Sequence, residues 1–174
     1  AEAEGAARVS MAHLRPPRRE SVASCCAIDA VSLRSLEIER TIRGGQLDGS
    51  LLGVFVGGRS SCRTAMGKRT LREWLVRPLA EVGEINARQR VVGALVEERT
   101  LAGNVGELLT GVQDVARICG RVSLGRATPR DLQGLARSLA VSRGLAGALS
   151  GAPVLAEAAA QIGSARDAKL HALR

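Results

Sequence analysis

The sequence predicts an all-α protein, a helical bundle with long lever helices. Three observations carry this expectation. Hydrophobic residues make up 45% of the 174-residue chain, but aromatics only 1%, Trp74 and Phe55, with no Tyr. The core must therefore be built from Leu, Val, Ile and Ala, which suits packed helices better than a sandwich or barrel. Apolar residues recur at helical spacing, with no alternating strand pattern. Residues that cap helix N-termini stand ahead of several of these stretches.

Residues 1–24 read as a linker, and His13–Arg19 (HLRPPRR) contains two adjacent prolines that favour an extended path. Asp29 is placed to cap a helix carrying Leu33, Leu36 and Ile42, with Gly44 and Gly45 as its stop. A loop follows from Gly44 to Gly49, and Ser50 can cap a short helix through Leu51, Leu52 and Val54. The stretch 56–62 (VGGRSSC) reads as another loop. Thr64 opens a helix to about Arg77, striped by Met66, Leu71, Trp74 and Leu75, and Pro78 ends it. With Trp74 inward and its arginines outward, this segment is expected to be the central buried helix.

A longer helix is expected from about Glu81 to Glu98, with Ile85, Val92, Leu95 and Val96 on one side. Leu101, Val105, Leu108 and Leu109 mark a shorter helix, and Val115, Ile118, Cys119 and Val122 another. Gly125 breaks the chain. Thr128-Pro129-Arg130-Asp131 is the clearest start signal: Thr128 as cap, Pro129 at the first helical position, Asp131 reaching back to the cap N–H. Leu132, Leu135, Ala136 and Leu139 follow. After Ala140 the pattern weakens, because Gly144, Gly147 and Gly151 interrupt it. Pro153 can restart a helix from Val154 toward Ile162. The boundaries that follow are a linker over 1–24 and a helical domain over 25–174.

The net charge is +8, and Lys68 and Lys169 are the only lysines among the cations. The densest patch is Arg59, Arg63, Lys68, Arg69, Arg72 and Arg77, opposed locally only by Glu73. A basic patch suits phosphates, and equally a solvated helix face or an interdomain contact. Cys25, Cys26, Cys62 and Cys119 form no C-x-x-C pair, and His13 and His171 lie near the two ends, so no metal site is expected. The start lacks a secretory pattern, and no run of about 18 apolar residues suggests a membrane span.

Gly67-Lys68 fails as a P-loop. Cys62 stands where G-x-x-x-x-G-K-(S/T) needs its first glycine, and Arg69 follows the lysine. No nucleophile–base pair or paired carboxylate stands out, so no catalytic, cofactor-binding or metal residue is assigned. The residues alone describe a helical binding or structural module, with a stand-alone adaptor or a non-specific nucleic-acid-binding module both open.

Six segments in order make the reading specific. They are HLRPPRR (13–19), IDAVSLRSLEIERTIRGG (28–45), SLLGV (50–54), TAMGKRTLREWLVRPL (64–79), INARQRVVGALV (85–96) and LGRATPRDL (124–132). Together they resemble the MutS family of DNA mismatch-repair proteins: the passage from its connector domain into its core domain, then the first part of that core. Phe55–Cys62 departs from the pattern, being longer and lacking an Asp. Ser35 stands where Asn is usual, and Glu20–Ala23 lacks an aromatic residue. A paralogous branch acting on recombination intermediates is the near alternative.

The resemblance implies a whole protein that binds mismatched DNA as a homodimer, uses ATP and Mg, and works with a MutL-type partner in the cytoplasm, associated with the nucleoid. It implies for this chain the core and lever that join the DNA-binding and ATPase domains, with Gly44, Gly45, Trp74, Pro78 and Thr128 as structural positions. No cofactor is implied in the chain itself.

Overall fold

A computed structural model describes residues 25–57 and 62–171. Among the described residues the protein is helical throughout; the single β-type pairing is an isolated antiparallel bridge between Cys25 and Leu79. The linker segment 1–24 lies outside the described residues.

Helix α1 spans Ala30–Ser35. Asp29 caps it, accepting from the backbone N–H groups of Val31 (2.8 Å) and Ser32 (2.9 Å). Those bonds, the Ser32 bond first, hold the Asp29 carboxyl below its ordinary range. The helix does not reach Gly44. It stops after Leu36 because Glu37 enters the left-handed region, with φ 50°. That conformation is costly for a residue with a Cβ, and local bonds offset it. The Glu37 carboxylate accepts from the Ile42 N–H at 2.6 Å, and its carbonyl accepts from the Leu51 N–H at 3.0 Å. The chain then makes a turn over 41–46, in which Gly45 supplies a φ of 61°. Gly45 therefore serves a turn, not a helix stop.

Helix α2 spans Leu51–Val56 and starts as expected at Ser50. The Ser50 hydroxyl is buried, accepts from Gly53 N–H at 3.1 Å and donates to the Leu47 carbonyl at 2.6 Å. Helix α3 spans Ala65–Val76, with Thr64 accepting from Gly67 N–H at 2.9 Å and Pro78 following its end. Helix α4 spans Val82–Glu97 and α5 spans Arg99–Thr110, separated by Glu98 alone. Helix α6 spans Val115–Ser123, capped by Asp114. Its Ile118 is among the most buried side chains described. Gly125, at φ 67°, turns the chain toward the next helix.

Helix α7 runs from Pro129 to Ser150, about 33 Å at 1.5 Å per residue. Its start is the expected capping box. Asp131 N–H donates to the Thr128 hydroxyl at 3.2 Å, and Thr128 N–H donates to the Asp131 carboxylate at 3.0 Å. The expected weakening after Ala140 does not interrupt the helix. Of the three glycines, Gly144 is used for close packing, while Gly147 and Gly151 face open space. A Cβ on Gly144 would sit 3.3 Å from the Leu108 side chain of α5, and one on Gly134 would overlap the Gln113 side chain. Close approach of neighbouring elements thus offsets the propensity cost of these glycines.

A 3-10 turn, Pro153–Leu155, leads into α8, Ala156–His171, which folds back against α7 as a helical hairpin. The core forms where this hairpin closes. Leu149, Ala152, Leu155 and Ala159 are buried there, and Val91 and Leu95 of α4, Leu101 and Val105 of α5 and Ile162 of α8 pack against them. Leu155 is 1% exposed. The centre of the bundle is therefore the α4–α5–α7–α8 junction and not α3, which has no buried residue. Trp74 is 42% exposed. The expectation of an inward Trp74 on a central α3 is overturned: the apolar mass of the second half of the chain builds the core.

Candidate functional site

The basic patch sits on and beside α3. Arg59 lies outside the described residues. Arg63, Lys68 and Arg77 are exposed, and Arg63 reaches toward α5, its Nε 3.9 Å from where a Gly106 Cβ would stand. Arg69 and Arg72 turn onto carboxylates from distant parts of the chain. Arg69 forks onto Asp114 with two bonds of 2.6 and 2.8 Å, and Arg72 donates to Glu39. What reads in sequence as a run of like charge opposed only by Glu73 is in the fold partly a set of intramolecular joints.

Asp114 serves twice. It caps α6, accepting from Arg117 N–H at 3.3 Å, and it receives the Arg69 fork. Chiefly through the Arg69 bond, its carboxyl titrates at about 2. A third ion pair joins α6 to α7: Arg121 forks onto Asp131 at 2.5 and 3.0 Å. That contact, with the capping-box bonds from Thr128, holds the Asp131 carboxyl far below its ordinary range. On another side of α3, the Arg88 guanidinium of α4 stacks over the Trp74 ring, 3.6 Å from its centroid.

Sequence reading placed Arg69 and Arg72 in the patch but missed Glu39, Asp114, Arg88, Arg121 and Asp131 as partners. Only the capping-box role of Asp131 is a local signal. Of the expected structural positions, Thr128 caps α7, Pro78 follows α3, and Gly44 and Gly45 lie in the turn over 41–46.

The other feature of the surface is apolar. Val31 and Val54 are each 75% exposed, and Leu36, Ile42, Leu47, Leu51 and Phe55 are exposed within the same 25 residues. A groove of about 490 Å³ shares Ile42 with this set and is also lined by Leu33, Arg34, Glu39 and Arg40. So dense a run of exposed apolar side chains suits an interaction face. Among the described residues, no three His, Cys, Asp or Glu side chains gather to hold a metal, and no helix is long and apolar enough to cross a membrane.

Comparison with known proteins places the chain in a family. The family model described as MutS domain III matches residues 31–172. The DNA mismatch repair protein MutS of Synechococcus sp. is 41% identical over 126 residues, covering 72% of this chain and 14% of its own length. That of Syntrophomonas wolfei is 39% identical over 77% of this chain, and that of Caulobacter vibrioides 42% identical over 80%, each matched over 15% of its own length. The chain thus spans about one seventh of the length of these relatives. Matched along most of its length by that model, from α1 through α8, the chain belongs to the MutS domain III family.

Proposed function

We propose that this chain is the structural core and lever of a DNA mismatch-repair protein, coupling the domain that binds mismatched DNA to the domain that hydrolyses ATP. The observation that carries the proposal is the uneven burial. Helices α4, α5, α7 and α8 pack around a core of their own, although Val82, Val92 and Val96 of α4 and Leu132 of α7 stay exposed, whereas residues 31–55 crowd seven exposed large apolar side chains into 25 positions. A rigid block with an open apolar face is built to be gripped by neighbouring domains. In this reading residues 1–24 are the linker from a connector domain and 25–174 the partial core. ATP and Mg belong to the ATPase part. DNA, a second copy of the whole protein and a MutL-type partner are partners of the whole, in the cytoplasm.

Arg63 and Lys68 then add at most weak, sequence-blind attraction to DNA, since Arg69 and Arg72 are engaged internally. Two measurements test the proposal. The chain alone should bind matched and mismatched duplex equally, with an affinity that falls as salt rises. In the full-length protein, Leu36→Asp together with Val54→Asp should abolish stimulation of ATP turnover by mismatched DNA while basal turnover persists. A mismatch preference in the chain alone, or unchanged stimulation in the variant, refutes it.

A further inference from the structure

Three ion pairs stand in series across the helices. Glu39, in the stretch after α1, is bound by Arg72 of α3. Three residues earlier on α3, Arg69 forks onto Asp114, the cap of α6. From the last turn of α6, Arg121 forks onto Asp131, the acidic half of the α7 capping box. The partners are separated by 33, 45 and 10 residues, so none of these pairs follows from neighbourhood on one helix. Between the first two joints lies a single turn of α3, from Arg72 to Arg69, and between the second and third lies α6, from its cap Asp114 to Arg121, both short enough to act as stiff struts.

We propose that this series is a mechanical coupling that carries a displacement of residues 37–46 through α3 and α6 to the start of α7. Two properties of the joints suit them to the task. A guanidinium fork makes two parallel bonds to one carboxylate, so it resists rotation as well as separation. Asp114 caps α6, and Asp131, in the first turn of α7, closes the capping box by accepting from the Thr128 N–H, so strain at either joint acts on a helix terminus and not on a side chain alone. Loosening a joint therefore frays the first turn beyond it, which gives each element two discrete arrangements, capped and frayed. The inference rests on the lever reading only for its purpose; the coupling itself lies within this chain.

Amide hydrogen exchange on the full chain tests it. In Glu39→Gln, the amides of Asp131 and Leu132 should exchange at least threefold faster, while that of Leu155 in the core keeps its rate. The charge swap Glu39→Arg with Arg72→Glu should restore the slower rate, and Glu107→Gln on α5 should change nothing. In a double-mutant cycle, Glu39→Gln and Asp131→Asn should act non-additively on the Leu132 amide although their side chains do not meet. Unchanged exchange at the start of α7, additive effects, or a uniform acceleration that includes Leu155 would overturn the coupling. None of these outcomes touches the lever reading, whose test is ATP turnover in the full-length protein.

Discussion

Replacing Gly53 and Gly147 by alanine should move stability in opposite directions, although both lie in helices. At Gly147 an added Cβ meets nothing within 4 Å. The substitution there keeps only the difference in helix propensity and should stabilise by about 0.8–1 kcal/mol. At Gly53 the Cβ would fall 2.0 Å from the backbone carbonyl oxygen of Leu47 and 3.0 Å from its carbon. No rotamer change relieves a clash with backbone, so the 47–50 turn must move by roughly 1 Å, well outside ordinary carbon–oxygen contact. That shift breaks the bond from the Ser50 hydroxyl to Leu47 and the Ser50 cap on Gly53 N–H. Each is worth about 1 kcal/mol, and Ser50 is buried, so its lost partners are not replaced by water. Against a propensity gain of about 0.5 kcal/mol in a first turn, Gly53→Ala should destabilise by about 2 kcal/mol. Urea denaturation with unchanged m-values measures both. In thermal melts the variants should part by about 6–10 °C. If Gly53→Ala stabilises as Gly147→Ala does, the close approach at Leu47 does not exist in solution.

Leu155→Ala should cost about 2–5 kcal/mol by leaving a cavity at the α7–α8 closure, read by the same denaturation. Trp74→Ala should cost only about 2 kcal/mol, from partial burial and the Arg88 stack, and a loss of 4 kcal/mol or more would return Trp74 to the core. Acid sensitivity should follow Asp114, whose carboxyl is held at about 2 when folded against about 3.9 when unfolded. A depressed carboxyl stabilises fully above its unfolded value, and the contribution is lost as pH falls from about 4 toward 2. Asp114→Asn should flatten stability over that window in a pH series, and an unchanged acid limb would remove Asp114 from it.

What was legible in the sequence was whatever acts over one helical turn. Asp29, Ser50, Thr64 and Thr128 all cap the helices they precede, because a cap needs only a side-chain oxygen and an N–H two or three residues on. The family resemblance likewise rests on ordered local segments. The ion pairs were not legible, since Glu39 and Arg72, or Arg69 and Asp114, meet only after helices pack. The early end of α1 was hidden because Glu37 adopts a conformation for which its residue type carries no signal, secured by a bond to Ile42. Gly144 misled for the opposite reason: its lack of a side chain weakens a lone helix but admits Leu108 in the assembled one. Trp74 misled because an apolar stripe states that a face is covered, not by what. Here Trp74 stays 42% exposed and carries the guanidinium of Arg88, from α4, over its ring.

That arginine gives the molecule an optical property. Trp74 is the single tryptophan of the chain and there is no tyrosine, so ultraviolet emission comes from one indole at one known place. The indole is open to solvent on part of its surface and faced by a cation that belongs to a different helix. A change in how Arg88 sits over it should alter its emission, and Arg88 moves with α4 while Trp74 moves with α3. A binding event that twists these two helices against each other should therefore be readable without a label, in the unmodified protein.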